Sequence, residues 1–164
     1  GVIGNLESRR RIEHIFAGLD IQPLVDETRI IELPGCRIKL VGLDLQTSRL
    51  GSQKDILEMV GSSTANELPI IMGHVPDFIM SLETWPIRFL AVAGHTHGGQ
   101  VQLPFIGPIL TLARVPRRYA DAYASYGAGI VSVSRGTGME RASAPRLRFL
   151  CRPELRVITL EPGT

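Results

Sequence analysis

Apolar positions recur at helical spacing near the start of the chain and as short runs beyond it. Ile12, Ile15, Phe16 and Leu19 fall at i, i+3, i+4 and i+7, which predicts a helix over 8–17 stopped by Gly18. His14 lies off that stripe and reads as a surface residue. Before it, Gly1-Val2-Ile3-Gly4 reads as a strand end and Asn5-Leu6-Glu7 as a loop. Residues 21–25 predict a short strand broken by Pro23, and 30–33 with 36–42 a hairpin around Pro34-Gly35. Ser52-Gln53-Lys54-Asp55 is a capping box with Asp in the place of Glu, opening a helix through Ile56, Met59 and Val60 that stops at Gly61.

Two buried strands follow. Residues 68–72 end in Gly73-His74, and residues 89–93 end in Gly94-His95-Thr96-His97-Gly98-Gly99-Gln100. Between them Pro76 opens a helix to Leu82. Residues 101–103 continue as a strand, and the prolines at 104 and 108 exclude a regular helix there. Residues 130–133 alternate apolar residues and serine, as a half-buried strand does. Residues 146–150 and 155–160 predict a last antiparallel pair joined at Arg152-Pro153-Glu154. The early chain is α/β in character and the late chain mostly strand.

Composition changes this picture only modestly. The chain has 164 residues, enough for one domain with a sizeable core, and its 44% apolar and 21% charged residues are ordinary for a globular protein. The net charge of +2 hides an asymmetry: residues 1–90 carry 9 Lys/Arg against 12 Asp/Glu, and residues 91–164 carry 9 Arg against 4 Asp/Glu. Arginine suits bidentate contact with phosphate or carboxylate. Aromatic residues are few and not interleaved with the basic ones, which argues against nucleic acid as a partner. Cys36 and Cys151 have no close Cys or His neighbours and read as buried free thiols. No run of about 18 apolar residues is present, and no export signal is visible. The start at Gly1, inside a predicted strand, is expected to reflect a processed or truncated product.

Candidate chemistry gathers at predicted strand ends. Asn5, His74, His95 and His97 all follow strands, and in open α/β sheets ligand sites form outside those carboxyl ends. Three of the four histidines occupy such places, so one shared site explains them better than three separate accidents. Histidine with amide and carboxylate oxygen suits Zn, Mn or Fe. No serine sits in a nucleophile elbow, and no P-loop glycine pattern is present.

Gly4-Asn5-Leu6-Glu7, Gly73-His74 and Gly94-His95-Thr96-His97-Gly98-Gly99-Gln100 resemble the last three motifs of the calcineurin-like metallophosphoesterases. Arg117-Arg118-Tyr119, Val133-Ser134-Arg135-Gly136 and Phe149-Leu150-Cys151-Arg152-Pro153-Glu154 resemble its bacterial membrane- or envelope-associated phosphodiesterase branch. The resemblance implies an α/β (α+β) fold, the carboxyl-terminal part of a four-layer αββα sandwich of two mixed sheets flanked by helices. It implies residues 1–164 as a single metallophosphoesterase domain, incomplete at its N-terminus. It also implies a dinuclear site of two divalent ions (Mn, Zn or Fe) that hydrolyses phosphomonoesters or phosphodiesters. Asn5, His74 and His95 would ligate one ion and His97 the other, and partial occupancy is expected. Arg135, Arg117 and Arg118 are expected to bind the phosphate. The implied location is membrane- or envelope-associated.

The chain departs from the family pattern twice. The first two motifs, Asp-x-His and Gly-Asp-x-x-Asp, are expected before Gly1, and Leu6 stands where the family has a histidine credited with proton transfer to the leaving group or orienting the phosphate. Loss of a general acid typically costs about 10²–10⁴-fold. With Leu6 in place of the family histidine, no residue of this chain is assigned as catalytic. Two rival readings follow: a degenerate, non-catalytic relative binding an anionic ligand or partner, and a structural metal site of His74, His95 and His97 alone. Residues 103–112, apolar and followed by Arg114, Arg117 and Arg118, read equally as a lip that meets a lipid or cell-envelope phosphodiester or rests on a membrane, and as a core-packing excursion with solvated arginines.

Overall fold

A computed structural model of the chain describes residues 2, 4, 9–140 and 145–161, residues 9–11 by backbone alone. The loop of Asn5, Leu6 and Glu7 lies outside the described residues, as do Gly1 and Ile3 of the strand end expected before it. Helix α1 (Arg9–Ile15) forms where the apolar spacing placed it. Of its stripe Ile12 is buried, while Ile15 and Leu19 are half exposed.

The main sheet grows from short runs with β-branched residues. Strands β1 (Glu27–Leu33) and β2 (Cys36–Gly42) pair antiparallel across the Pro34-Gly35 turn, with Leu33 opposite Cys36. Helices α2 (Leu45–Leu50) and α3 (Gln53–Val60) then lead to β3 (Glu67–Met72), which lies parallel to β2. The capping box is as expected: the Ser52 hydroxyl accepts from the Asp55 N–H, and the Asp55 carboxylate accepts from the Ser52 N–H. A 3-10 helix (Pro76–Leu82) connects β3 to β4 (Leu90–Ala93). Strands β5 (Gln102–Leu103) and β6 (Gly107–Pro108) form a separate two-stranded sheet. Strands β7 (Tyr123–Tyr126) and β8 (Gly129–Val133) complete the large sheet, in the order β1-β2-β3-β4-β8-β7.

Four central strands run parallel, and an antiparallel strand closes each edge. With a mixed six-stranded sheet, a small sheet and few helices, the fold is α/β and consistent with a calcineurin-like domain. The core is continuous: Val41, Ile56, Ile71, Phe78, Ile79, Leu82, Ala91 and Val131 lie in one buried cluster. Burial at about 25 cal/mol per Å² of apolar surface makes that cluster the main force holding the parallel strands in register.

Several expected elements are absent. Residues 21–24 form no strand; Leu24 instead packs its Cβ against Gly42, and Pro23 cannot donate to a ladder. Residues 76–82 form a 3-10 helix rather than an α-helix. The terminal pair over 146–150 and 155–160 does not form. Phe149 makes one parallel bridge to Val101, and Leu155 and Val157 are 87% and 84% exposed. With no apolar partner to cover them, those alternating residues gain nothing by pairing. Helix α2 was not foreseen, because its apolar positions are only Leu45 and Leu50. Cys151 is buried as expected, but Cys36 is exposed, since it borders the β1–β2 turn. No helix among the described residues is long and apolar enough to cross a membrane.

Candidate metal and phosphoester site

Neighbouring parallel strands deliver the histidines. The β3–β4 ladder continues beyond both strand ends: the Gly73 N–H donates to the Val92 carbonyl and the Gly94 N–H to the His74 carbonyl, each at 3.1 Å. His74 and His95 are thereby set side by side, their rings edge-to-face with centroids 5.1 Å apart. His97 is close enough for its charge to act on His74.

Gly73 must lack a side chain for this to work. An added Cβ would lie 2.8 Å from the Phe78 ring and from the Ser48 Cβ. Ser48 itself is fully buried; its hydroxyl donates to the Leu45 carbonyl and accepts from the Val75 N–H just after His74.

The second loop is more contorted. His95, His97 and Gln100 take left-handed φ values of 67°, 48° and 57°, and Gly98 and Gly99 take 61° and 75°. For non-glycine residues such dihedrals cost about 1–3 kcal/mol each and persist only where surroundings enforce them. Remote segments do so here. The Thr96 hydroxyl donates to the Ala120 carbonyl, and His95 Nε2 lies 3.1 Å from the Leu112 carbonyl. Gln100 is fully buried and donates to the Pro145 carbonyl at 2.6 Å. Gln102 donates to the Gly98 carbonyl and to Asp121. The Cys151 thiol lies 3.2 Å from the His97 carbonyl it donates to.

Burial favours the neutral forms of His74 and His97. Burial, then the charges of His95 and His97, pushes the His74 pKa down to about 4. Burial also lowers His97, aided by Arg148 and His95, against a hydrogen bond to the Arg135 backbone and the charge of Glu140. A neutral imidazole is the form that ligates a metal. His95 Nε2 is directed at the Leu112 carbonyl, a hydrogen bond of the kind that orients many metal-bound histidines.

The donor chemistry of His74 and His95 therefore fits a divalent ion. Among the described residues, however, no group of three or more His, Cys, Asp or Glu is arranged to hold one. His97 stands in the same loop with its ring on the Arg135 backbone, and Asn5 lies outside the described residues.

Arg135 follows β8 and sits beneath the histidine loop, its stem against Gly98. Its guanidinium faces Asp121 at 3.7 Å and Glu154 at 3.8 Å. Burial alone would raise the Glu154 carboxyl, yet hydrogen bonds from the Arg156 side chain and the Arg135 N–H, and both arginine charges, hold it below its usual value. Arg117 and Arg118 are exposed on a short 3-10 turn, with Arg118 stacked 4.8 Å over the Tyr119 ring. This turn leads directly into Ala120, the acceptor for Thr96.

Sequence reasoning missed Asp77, whose buried carboxylate accepts the N–H groups of Arg114 and Val115, and Arg148, whose guanidinium lies among backbone carbonyls of the site. Neither stands at a strand end, so only the packed fold could reveal them.

No family model matches the chain, and no solved structure does. An uncharacterized metallophosphoesterase of Bacillus subtilis (strain 168), YkuE, is 41% identical over 92 residues, covering 56% of this chain and 30% of that protein. The phosphodiesterase YaeI of Escherichia coli (strain K12) is 28% identical over 157 residues, covering 94% of this chain and 53% of that protein. The chain thus spans only about a third to a half of these relatives. Both relatives are phosphoesterases by name, and at this moderate identity and partial coverage they support a calcineurin-like metallophosphoesterase family for the chain.

Proposed function

We propose that this chain carries the histidine wall of a metal-dependent site hydrolysing phosphomonoesters or phosphodiesters. The observation that supports it best is the edge-to-face pair of His74 and His95 at adjoining parallel strand ends, with His97 beside them. His74, His95 and Asn5 would hold one divalent ion, Mn, Zn or Fe, and His97 a second. When bound, such ions supply hydroxide at neutral pH and stabilise charge developing on the phosphoryl group. Burial favours the neutral rings of His74 and His97, and His95 and His97 are held in left-handed backbone positions.

Arg117 and Arg118, exposed nearby in the chain, are assigned to substrate anion binding through charge-assisted hydrogen bonds. Arg135 is assigned the same role, released from Asp121 and Glu154 when a phosphate arrives. The lip also supports an extension to lipid-linked phosphoesters and peripheral membrane contact. Phe105 is fully exposed, Ile106 is 65% exposed, Ile109 and Leu110 are 45% and 40% exposed, and the 101–118 stretch carries three arginines and no acidic residue.

The test is hydrolysis of a generic aryl phosphodiester with Mn or Zn added, beside metal analysis of the purified protein. Metal-dependent turnover that disappears in His95→Ala is expected; no bound metal and no turnover would defeat the reading. Leu6 favours a second reading, a non-catalytic relative that binds an anion. Leu6→His separates the two: a gain of about 10²-fold or more supports a site lacking only its proton donor, and no gain supports the binding reading.

A further inference from the structure

The Arg148 guanidinium lies where two loops of the site converge. Nη1 donates to the carbonyls of His97 at 3.4 Å and Cys151 at 3.3 Å. Nη2 donates to the carbonyls of Arg135 at 2.9 Å, Gly136 at 3.1 Å and Gly138. One side chain therefore ties the loop after β4, which carries His97, to the loop after β8. The second loop meets the His97 ring on two sides. The ring hydrogen-bonds the Arg135 backbone, and a Cβ on Gly138 would lie 3.5 Å from its Cε1.

Five carbonyl dipoles turned toward one point repel one another unless a cation sits among them. Guanidinium suits the task because its donors form a rigid planar fork, whereas an ammonium is a compact point with three donors. The left-handed backbone of His97 also needs an external restraint, and the restraints from Thr96 and Gln100 act on either side of it.

We propose that Arg148 is a positioning residue for His97, fixing both its strained backbone and, through the Arg135 carbonyl, its ring. This rests on the metal-site reading only where it concerns ligation; the geometric part stands without metal. Cys151 supports the same loop from the adjacent carbonyl face, with its sulfur 3.2 Å from the His97 oxygen. A chain segment some fifty residues downstream thereby determines the aim of a histidine in the motif.

The experiment compares wild type, Arg148→Lys and Arg148→Met. Amide hydrogen exchange of metal-free protein is read at Gly99, Gln100 and Val101, with the β2–β3 ladder as internal reference. Co²⁺ binding is then followed by its visible absorption. Arg148→Met should speed exchange at the loop amides at least tenfold while leaving β2–β3 unchanged, and should weaken Co²⁺ about 10–100-fold with an altered spectrum. Arg148→Lys should restore only part of each effect. Should Arg148→Met not fold, the lysine variant carries the comparison, because it keeps the charge but not the fork. Loop exchange like wild type in the folded variants would overturn the proposal, as would full rescue of loop exchange by lysine. If wild type binds no Co²⁺, the metal reading fails separately, and the exchange data still decide the role of Arg148.

Discussion

The two strand ends that bring histidines together are built in different ways. After β3 the chain stays extended, with Val75 at φ −86° and ψ 131°, and His74 is held by near neighbours: the 3-10 helix that follows it and Ser48 of α2. After β4 the chain coils through five successive or near-successive left-handed residues and is held from afar, by Leu112, Ala120, Pro145, Arg148 and Cys151. One histidine is placed by local packing, the other two by a convergence of distant segments. The difference teaches that the short Gly-His needs only a tight-fitting neighbour, whereas Gly-His-Thr-His-Gly-Gly-Gln needs most of the later chain.

The largest effect should come from stressing the contorted loop. A Cβ on Gly98, at φ 61°, would lie 2.6 Å from the Arg135 Cγ and 2.8 Å from the Cys151 sulfur. Gly98→Ala should cost about 3 kcal/mol, combining left-handed strain with overpacking. Gly94→Ala is the control: nothing lies within 4 Å of a Cβ there, so the cost should be under about 1 kcal/mol. Equal losses for the two in urea unfolding would break the comparison.

Gly73→Ala probes the locally packed end. Its Cβ would meet the Phe78 ring and Ser48, and a cost of about 2 kcal/mol is expected. Hydrogen exchange should then rise around 45–48 and 73–82, and remain unchanged at 145–151. A disturbance at 145–151 would show that both ends depend on the same distant segment.

A smaller effect distinguishes the two by pH. In metal-free protein the His74 pKa of about 4 lies below its ordinary 6.5, so the unfolded chain binds more protons between those values. The stability contribution of neutral His74 is therefore complete above about pH 6.5 and is lost as pH falls toward 4. His97 acts in the same direction. After allowance for its partial exposure, His74 should account for about 2 kcal/mol between pH 7 and pH 4.5, measured by denaturant unfolding with a chelator present. His74→Asn should remove that part of the slope; an unchanged slope would place the titration elsewhere.

Much of the central sheet was legible in the sequence. The runs at 68–72 and 89–93 are apolar on both faces, as parallel strands covered on each side must be, and Ser52 with Asp55 announces α3. Positions for His74, His95 and His97 follow from those elements alone. What stayed hidden depends on contacts made across long separations. Alternation over 155–160 looked like a strand, yet no sheet edge accepts it, and Arg156 turns instead to Glu154 and the Ala122 carbonyl. Arg135 reads as a free cation until Asp121 and Glu154 are brought to it. Arg148 has no motif of its own, because its five carbonyl acceptors come from three stretches of chain.

The central claim is that the strand-end histidines share one ligand site, and the fourth histidine supplies a control. His14 is exposed on α1, apart from the sheet ends. A titration with Zn²⁺ followed by long-range ¹H–¹⁵N correlation of the imidazole nitrogens reads all four rings at once. Shifts at His74, His95 and His97 that follow one saturating curve, with His14 unmoved, are the expected result. Unchanged rings, or separate curves no tighter than that of His14, would contradict the account.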